Sequence, residues 1–378
     1  MNNPIGICHF ANKLAGKLDL IIFNAWLKAI SIKGLSIMYR KFGLAAFVAT
    51  IIFSSLSNLA NAATIENIRD RGFVSCGVTE RMPGFSSVTN EGVWVGMNVD
   101  YCRALAAAVL QNADAVKIQP FWLEALTTRD IDVLHAGSTW TLSRDSEMYV
   151  NFPGTIFYDG QGFLAHAKVG AQNLKKAKTI PAINVCAIAE TSTAGNNLSE
   201  YIKNNNLDWN IIEVKTLDGM WSAFFGGRCD MVIHDRTALM TVHADRLEGS
   251  DDYVVFPETI SKEPLSPAVR SDDEKWEDLV RWTTFITIAA EELGVNSKNI
   301  DAMMDIPNPS VARLLGTAKG IGKGFGLDDK WAYRVIKQVG NYGEIFERNL
   351  GSGSKFKLKR GLNDLWVRGG LMIAPPLR

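Results

Sequence analysis

The residues best suited to chemistry lie at 138–144, Ser-Thr-Trp-Thr-Leu-Ser-Arg, directly after a strand-like run through Asp132, Val133 and Leu134. Arginine offers a planar fork of donors that matches the two oxygens of a carboxylate, and Thr139 and Ser138 hydroxyls with exposed loop amides can complete the shell. Taken alone, seven such residues are more often a surface loop with an ordinary arginine. A complementary charge further along the chain changes that weighing. The strand-like run 230–233 ends at His234 and Asp235, so Arg144 with Thr139 could hold an α-carboxylate while Asp235 holds an α-ammonium group. A zwitterion would then draw the two parts of the chain together. Phe85 or Trp140 could line a side-chain pocket, although a core role is the commoner one for either residue.

Other chemistries find little support. The glycine-rich stretch 316–326 contains Gly322, Lys323 and Gly324, but the P-loop spacing and its Ser or Thr after Lys are missing, and it reads as a loop. No Gly-x-Ser-x-Gly elbow occurs, and the five histidines have no metal-ligand spacing, so no metal or cofactor is expected. His135, His166, His234 and His243 read as structural or exposed, and only His234 beside Asp235 forms a pairing worth testing.

The elements that must position these groups alternate. Residues 73–78 and 131–134 read as strands, and 99–110 as a helix with Val99, Cys102, Ala106 and Val109 on one face. A lysine-rich solvated face at 175–178 follows. The pattern then restarts, with a strand at 183–188, a helix at 198–204 and the strand at 230–233. Strand–helix alternation predicts an α/β fold whose ligands bind beyond strand ends, where Thr191, Ser192 and Asp235 also fall. Pro264 and Pro267 mark 261–270 as an extended crossing segment. Helical spacing is predicted over 273–293, with Trp276, Leu279, Val280 and Ile286 buried, and over 331–349, with Trp331, Val335, Ile336 and Val339.

With 378 residues and 47% hydrophobic content, the chain can bury more than one core. Forty basic and forty acidic residues cancel, which disfavours a diffuse polyanion-binding role. Arg40 and Lys41 precede an apolar run at 42–53 and the small residues Ala60, Asn61 and Ala62. That is the order of a signal peptide, cleaved after Ala62, with Met38 as a candidate start. The run is about twelve residues, short of the roughly 20 needed to cross a bilayer. Removing Cys8 with this segment leaves Cys76, Cys102, Cys186 and Cys229. Disulfides suit an export compartment; four cysteines allow three pairings, and spacing does not choose among them.

Six segments resemble one family: GVWVGMNVDYCRA, STWTLSRD, YDGQGF, GRCDMVIHD, ISKEPLSPAVR and VGNYGEIFERN. They resemble periplasmic solute-binding proteins of ABC amino-acid importers, close to the general L-amino-acid-binding branch, and the likeness runs from about Gly72 to the C-terminus. It implies an α/β, two-lobed type II periplasmic-binding-protein fold with two hinge crossings, near Phe163 and Pro264. The corresponding division is 1–62 signal peptide with extension, 63–163 first lobe, 164–262 second lobe and 263–378 return to the first lobe with C-terminal helices. Carried over by position, Arg144 and Thr139 bind the ligand carboxylate, Asp235 its amino group, and Ser192 adds a second-lobe contact. The resemblance favours Cys76 with Cys102 and Cys186 with Cys229. It implies a periplasmic monomer that delivers an amino acid to an ABC transporter permease, without a cofactor, nucleic acid or enzymatic activity. A lyase or dehydratase, or a sensory binding protein, is the alternative on the same fold. Three features depart from the family pattern. Asn98 replaces an Asp, Glu190 replaces a Gly and adds a carboxylate near the expected ligand, and 121–130 is about four residues shorter than the family's helix there.

Overall fold

The computed structural model of the protein describes residues 64–189, 192–247 and 249–378. The expectations for 1–62, Glu190 and Thr191 fall outside the described residues. Short apolar runs form the strands: β1 (Val74–Val78), β2 (Val116–Pro120), β3 (Val133–Thr139), β4 (Val150–Asn151) and β5 (Phe157–Asp159), then β6 (Gln161–His166), β7 (Ile183–Ile188), β8 (Trp209–Val214), β9 (Met231–Asp235), β10 (Tyr253–Val255) and β11 (Glu263–Arg270). One sheet has the order β2-β1-β3-β11-β4, with β5 also paired to β11, and the other has the order β8-β7-β9-β6-β10. In the first, β1 runs parallel to β2 and β3 while β11 is antiparallel to β3. In the second, β7 runs parallel to β8 and β9 while β6 is antiparallel to β9 and β10. Each sheet thus takes its antiparallel member from the strand that has just arrived from the other.

The chain changes sheet at Gly160 and returns through 256–262. A first crossing near Phe163 therefore falls inside β6, because Phe163 pairs with Ile233 in the second sheet. Pro264 likewise lies past the return, opposite Tyr158 in the first sheet. The two passages lie side by side, with Glu263 opposite Asp159. Their approach is close: a Cβ at Gly160 would come within 2.6 Å of the Ser261 carbonyl oxygen, so glycine fits there and a larger residue does not.

Helices α1 (Thr64–Arg71), α2 (Met97–Leu110), α3 (Leu142–Glu147), α4 (Thr193–Asn204), α5 (Leu217–Phe225), α6 (Arg236–Arg246), α7 (Glu274–Glu292), α8 (Trp331–Gln338) and α9 (Tyr342–Asn349) cover the sheets. The one-sided burial expected at 99–110 is replaced by burial nearly all round α2. α2 packs against β1, β2 and β3 and also against α7, α8 and α9, so its alanines 104 and 106–108 are buried as well. The single helix expected over 331–349 is two helices. Gly340 takes φ 104° and Asn341 starts α9 through a capping box with Glu344, so the backbone leaves and re-enters the helical conformation within a few residues. The proline-containing crossing segment is largely a central strand, β11. Its register shifts between Ser266 and Ala268, which puts the missing N–H of Pro267 at an irregularity of the ladder.

Alternating strand residues divide the cores by face. In the second sheet Phe163, Val185, Met231 and Ile233 join one cluster, and Leu164, Cys186 and Val232 another. In the first sheet one face carries a large cluster with Trp276, Trp331 and Tyr342 from the C-terminal helices, and the other a smaller one around Leu126, Leu134 and Phe152. Disulfides join Cys76 to Cys102, from β1 to α2, and Cys186 to Cys229, from β7 to the approach of β9, with Cα separations of 6.0 and 5.7 Å. Each therefore staples one sheet to its own surroundings and spans neither crossing.

Candidate ligand-binding site

Thr139 and Asp235 are the last residues of β3 and β9, and Ser192 follows β7. These are ends of parallel strands, where side chains project into the crevice of an open α/β sheet. Arg144 sits one turn into α3, which begins at a Thr141 cap whose hydroxyl accepts the Arg144 N–H. Its Nη1 donates to the Thr139 carbonyl oxygen at 2.9 Å, and it makes no ion pair among the described residues. Most of the guanidinium donors are therefore free of protein partners there. Burial pushes the Arg144 pKa down, against the nearby carboxylates of Glu263 and Asp235, which push it up.

The Thr139 hydroxyl is already engaged: it donates to Glu263 Oε2 at 2.6 Å. Ser192 works locally, donating to the Ile188 carbonyl oxygen at 2.8 Å and accepting the Gly195 N–H as the cap of α4. Asp235 is buried, and although it stands at the cap position of α6 its carboxylate makes no capping bond. The anticipated pairing of His234 with Asp235 runs through the backbone, since His234 Nδ1 accepts the Asp235 N–H at 2.8 Å. Burial pushes the His234 imidazole down to about 4, so it is neutral near pH 7. Phe85 is a core residue, edge-on to Phe157, whereas Trp140 is partly exposed and stacks on Phe152.

The sequence reading missed the residues that knit these groups together. Glu263 is buried and accepts from Thr139, from the Ser261 hydroxyl and from Asn197 Nδ2 at 3.0 Å. Asn197 belongs to α4, which packs on the second sheet, so this carboxylate touches elements of both bodies, each body being one sheet with its helices. Asn197 Nδ2 also donates to Gln161 Oε1, and Gln161 Nε2 donates to Thr193, both at 2.8 Å. Asp159, opposite Glu263, accepts the Gly160 N–H at 2.8 Å and the Thr237 N–H at 3.2 Å. The available signal was a lone carboxylate at the edge of an apolar run beside a turn residue, Asp159 before Gly160 and Glu263 before Pro264.

Electrostatically the three carboxylates Asp159, Asp235 and Glu263 outnumber the two guanidinium groups beside them, Arg144 and Arg236. Burial raises Asp235 well above the ordinary carboxylate range and the charges of Asp159 and Glu263 add to that, while Arg144 and Gln161 oppose it. Burial also raises Asp159, to about 6, against the N–H groups of Gly160 and Thr237 and the charge of Arg236. A cation among these groups would be stabilised, and a carboxylate would be held only on the Arg144 side.

No protein-family model matches the chain, but individual relatives do. It is 40% identical over 341 residues to the general L-amino acid-binding periplasmic protein AapJ of Rhizobium johnstonii, covering 89% of this chain and 98% of that protein. It is 38% identical over 339 residues to the glutamate/glutamine/aspartate/asparagine-binding protein BztA of Rhodobacter capsulatus, covering 88% and 99%. Among solved structures, an ABC transporter periplasmic binding protein from Brucella ovis with glutathione bound is 39% identical, with a TM-score of 0.79 over 84% of this chain and 100% of that one. The chain belongs to the family of amino-acid-binding periplasmic proteins of ABC transporters. Its two-sheet, twice-crossed architecture is the type II periplasmic-binding-protein fold.

Proposed function

We propose that the protein captures an L-amino acid between the two sheets, with Arg144 holding the α-carboxylate and Asp235 the α-ammonium group, and hands it to a membrane permease. Thr139 and Ser192 flank the ligand through hydroxyl or backbone groups. The supporting observation is the joint field of Arg144 and Asp235, a guanidinium with one backbone partner beside a buried carboxylate that is bonded to no helix end. The chain acts as a periplasmic monomer, exported with cleavage after Ala62, where its compact unit Ala63–Arg378 begins. The binding reading, rather than the lyase or dehydratase alternative, is supported by relatives that are named as binding proteins.

Calorimetry of the protein from Ala63 with a panel of L-amino acids tests this reading. Saturable heat with at least one is expected, and none from any, with the protein shown to be folded, rejects it. Glutathione belongs in the panel because its γ-glutamyl end carries a free α-amino acid group and it is bound by the Brucella ovis relative.

A further inference from the structure

Asp235 occupies a position whose usual task it does not perform. An aspartate at a helix cap normally accepts the N–H of the second or third helical residue through its side chain. In α6 those donors are Thr237 and Ala238, yet the Asp235 side chain makes no such bond. The work is done from the other sheet. Asp159, the last residue of β5, accepts the Thr237 N–H at 3.2 Å through Oδ2 and at 3.4 Å through Oδ1, and the Arg236 N–H donates to the Gly160 carbonyl oxygen at 2.8 Å. Two of the free amide donors at the start of α6 are thus satisfied by the outgoing crossing itself.

We propose that Asp159 is a positioning residue: by capping α6 from the first sheet, it keeps the Asp235 carboxylate off its own helix and free for the ligand's ammonium group. This rests on the reading of Asp235 given above. The physical reason is competition for one donor. Without the Asp159 carboxylate, the Thr237 N–H would need another acceptor, and the nearest by chain geometry is Asp235, which would then turn toward the helix. Binding and hinge would be linked, because the group that frees Asp235 belongs to the strand entering the crossing.

The charged groups around Asp235 sharpen the test. Asp159 on β5, Glu263 on β11 and Arg144 on α3 act on it directly, with neutral His234 before it on β9 and Arg236 after it on α6. Asp159→Asn keeps an amide oxygen able to accept the Thr237 N–H but removes a negative charge. Asp159→Ala removes both. Wild-type protein, both variants and their thermal unfolding are compared, with affinity for L-glutamate, L-glutamine and L-arginine measured by calorimetry at pH 7.5. The expected result is a loss of about ten- to a hundredfold in Asp159→Ala, with Asp159→Asn within about threefold of wild type. The acid limb of binding in Asp159→Asn moves to lower pH, because Asp235 then ionises beside one fewer carboxylate. Wild-type affinity in Asp159→Ala, or an equal loss in both variants, overturns the proposal.

A second measurement holds even if Asp159→Ala fails to fold or none of the three amino acids binds. Carboxyl NMR titration of the ligand-free wild-type protein is expected to place Asp235 above the ordinary carboxylate range. A value below that range, as for a carboxylate accepting helix N–H groups, overturns the proposal without reference to any ligand.

Discussion

The two bodies share a strand order but meet at the crevice with different resources. The first contributes a guanidinium, half-buried on a short surface helix and held by one backbone carbonyl, and its sheet is backed by the large C-terminal core. The second contributes a buried carboxylate and is backed by two smaller clusters, one on each face. Between them, Asp159 and Glu263 add negative charge at the crossings. The first body thus sets its proposed carboxylate-binding charge on a short helix beside the larger core, and the second carries a proposed ammonium-binding group whose ionisation its own burial opposes. A ligand ammonium relieves that opposition, so capture is expected to stabilise the second half of the site more than the first.

The largest expected effect separates the halves by function and stability. Arg144→Ala removes the carboxylate fork and should cost about 2–5 kcal/mol of binding free energy, the range for truncating one member of a desolvated hydrogen-bonded charge pair. Calorimetry reads the loss, and unchanged affinity would remove Arg144 from the site. Asp235→Asn should also lose affinity, yet raise the ligand-free melting temperature at pH 7.5, because it removes a buried carboxyl whose ionisation is opposed by burial and by two neighbouring carboxylates. If both variants merely lose affinity with unchanged melting temperature, the asymmetry between the halves is wrong.

The disulfides test the cores behind the halves. Closing loops across 26 and 43 residues each contributes about 3–4 kcal/mol in the chain-entropy picture. Replacing Cys186 and Cys229 by serine should lower the melting temperature more than replacing Cys76 and Cys102, since that loop is longer and its clusters are smaller. Scanning calorimetry of the two double variants decides the order, and the reverse order would make the C-terminal core the more dependent one.

A smaller effect comes from protonation. A carboxyl raised in the folded protein binds its proton more tightly there than in the unfolded chain. Its stabilising contribution is complete below the unfolded pKa of about 3.9 and is lost as pH climbs through the folded value, about 6 for Asp159. An ammonium ligand favours the ionised forms and pulls these values down. Capture near pH 6 should therefore release protons and tighten as pH rises toward 7. Calorimetry in buffers of different ionisation enthalpy measures the release, and proton uptake would contradict the acidic surplus.

Much of this was legible because it is local. Thr139 and Asp235 end strand-like runs, Arg144 follows just after the first of them, and the α/β alternation announces the sheets. What escaped needs contacts between distant residues. Glu263 and Asp159 meet only because β11 returns beside β5, and Glu263 bonds to Thr139 more than a hundred residues away. A helical period through 331–349 hid the break because apolar spacing continues across Gly340, whereas the glycine followed by Asn341 and Glu344 carried the stop and start signals. Pro267 argued against a central strand until the irregular register there gave it a place.

Buried polarity alone does not make a site, and the first body supplies the contrast. Asn98 is buried in the first turn of α2, and neither its amide nitrogen nor its amide oxygen has a partner among the described residues. His135 is similar: both ring nitrogens lack partners there, burial pushes it down to about 3, and its ring stacks on Tyr101. Neither enters the field of Arg144 or Asp235. An unpaired buried amide costs about 1–3 kcal/mol, so Asn98→Leu, close in shape but apolar, should hold or raise the melting temperature and leave ligand affinity unchanged. The corresponding change at Asp235 should alter affinity strongly. If Asn98→Leu also weakened binding, the acidic surplus would extend into the first body's helix, and the functional division between the two halves would have to be redrawn around α2.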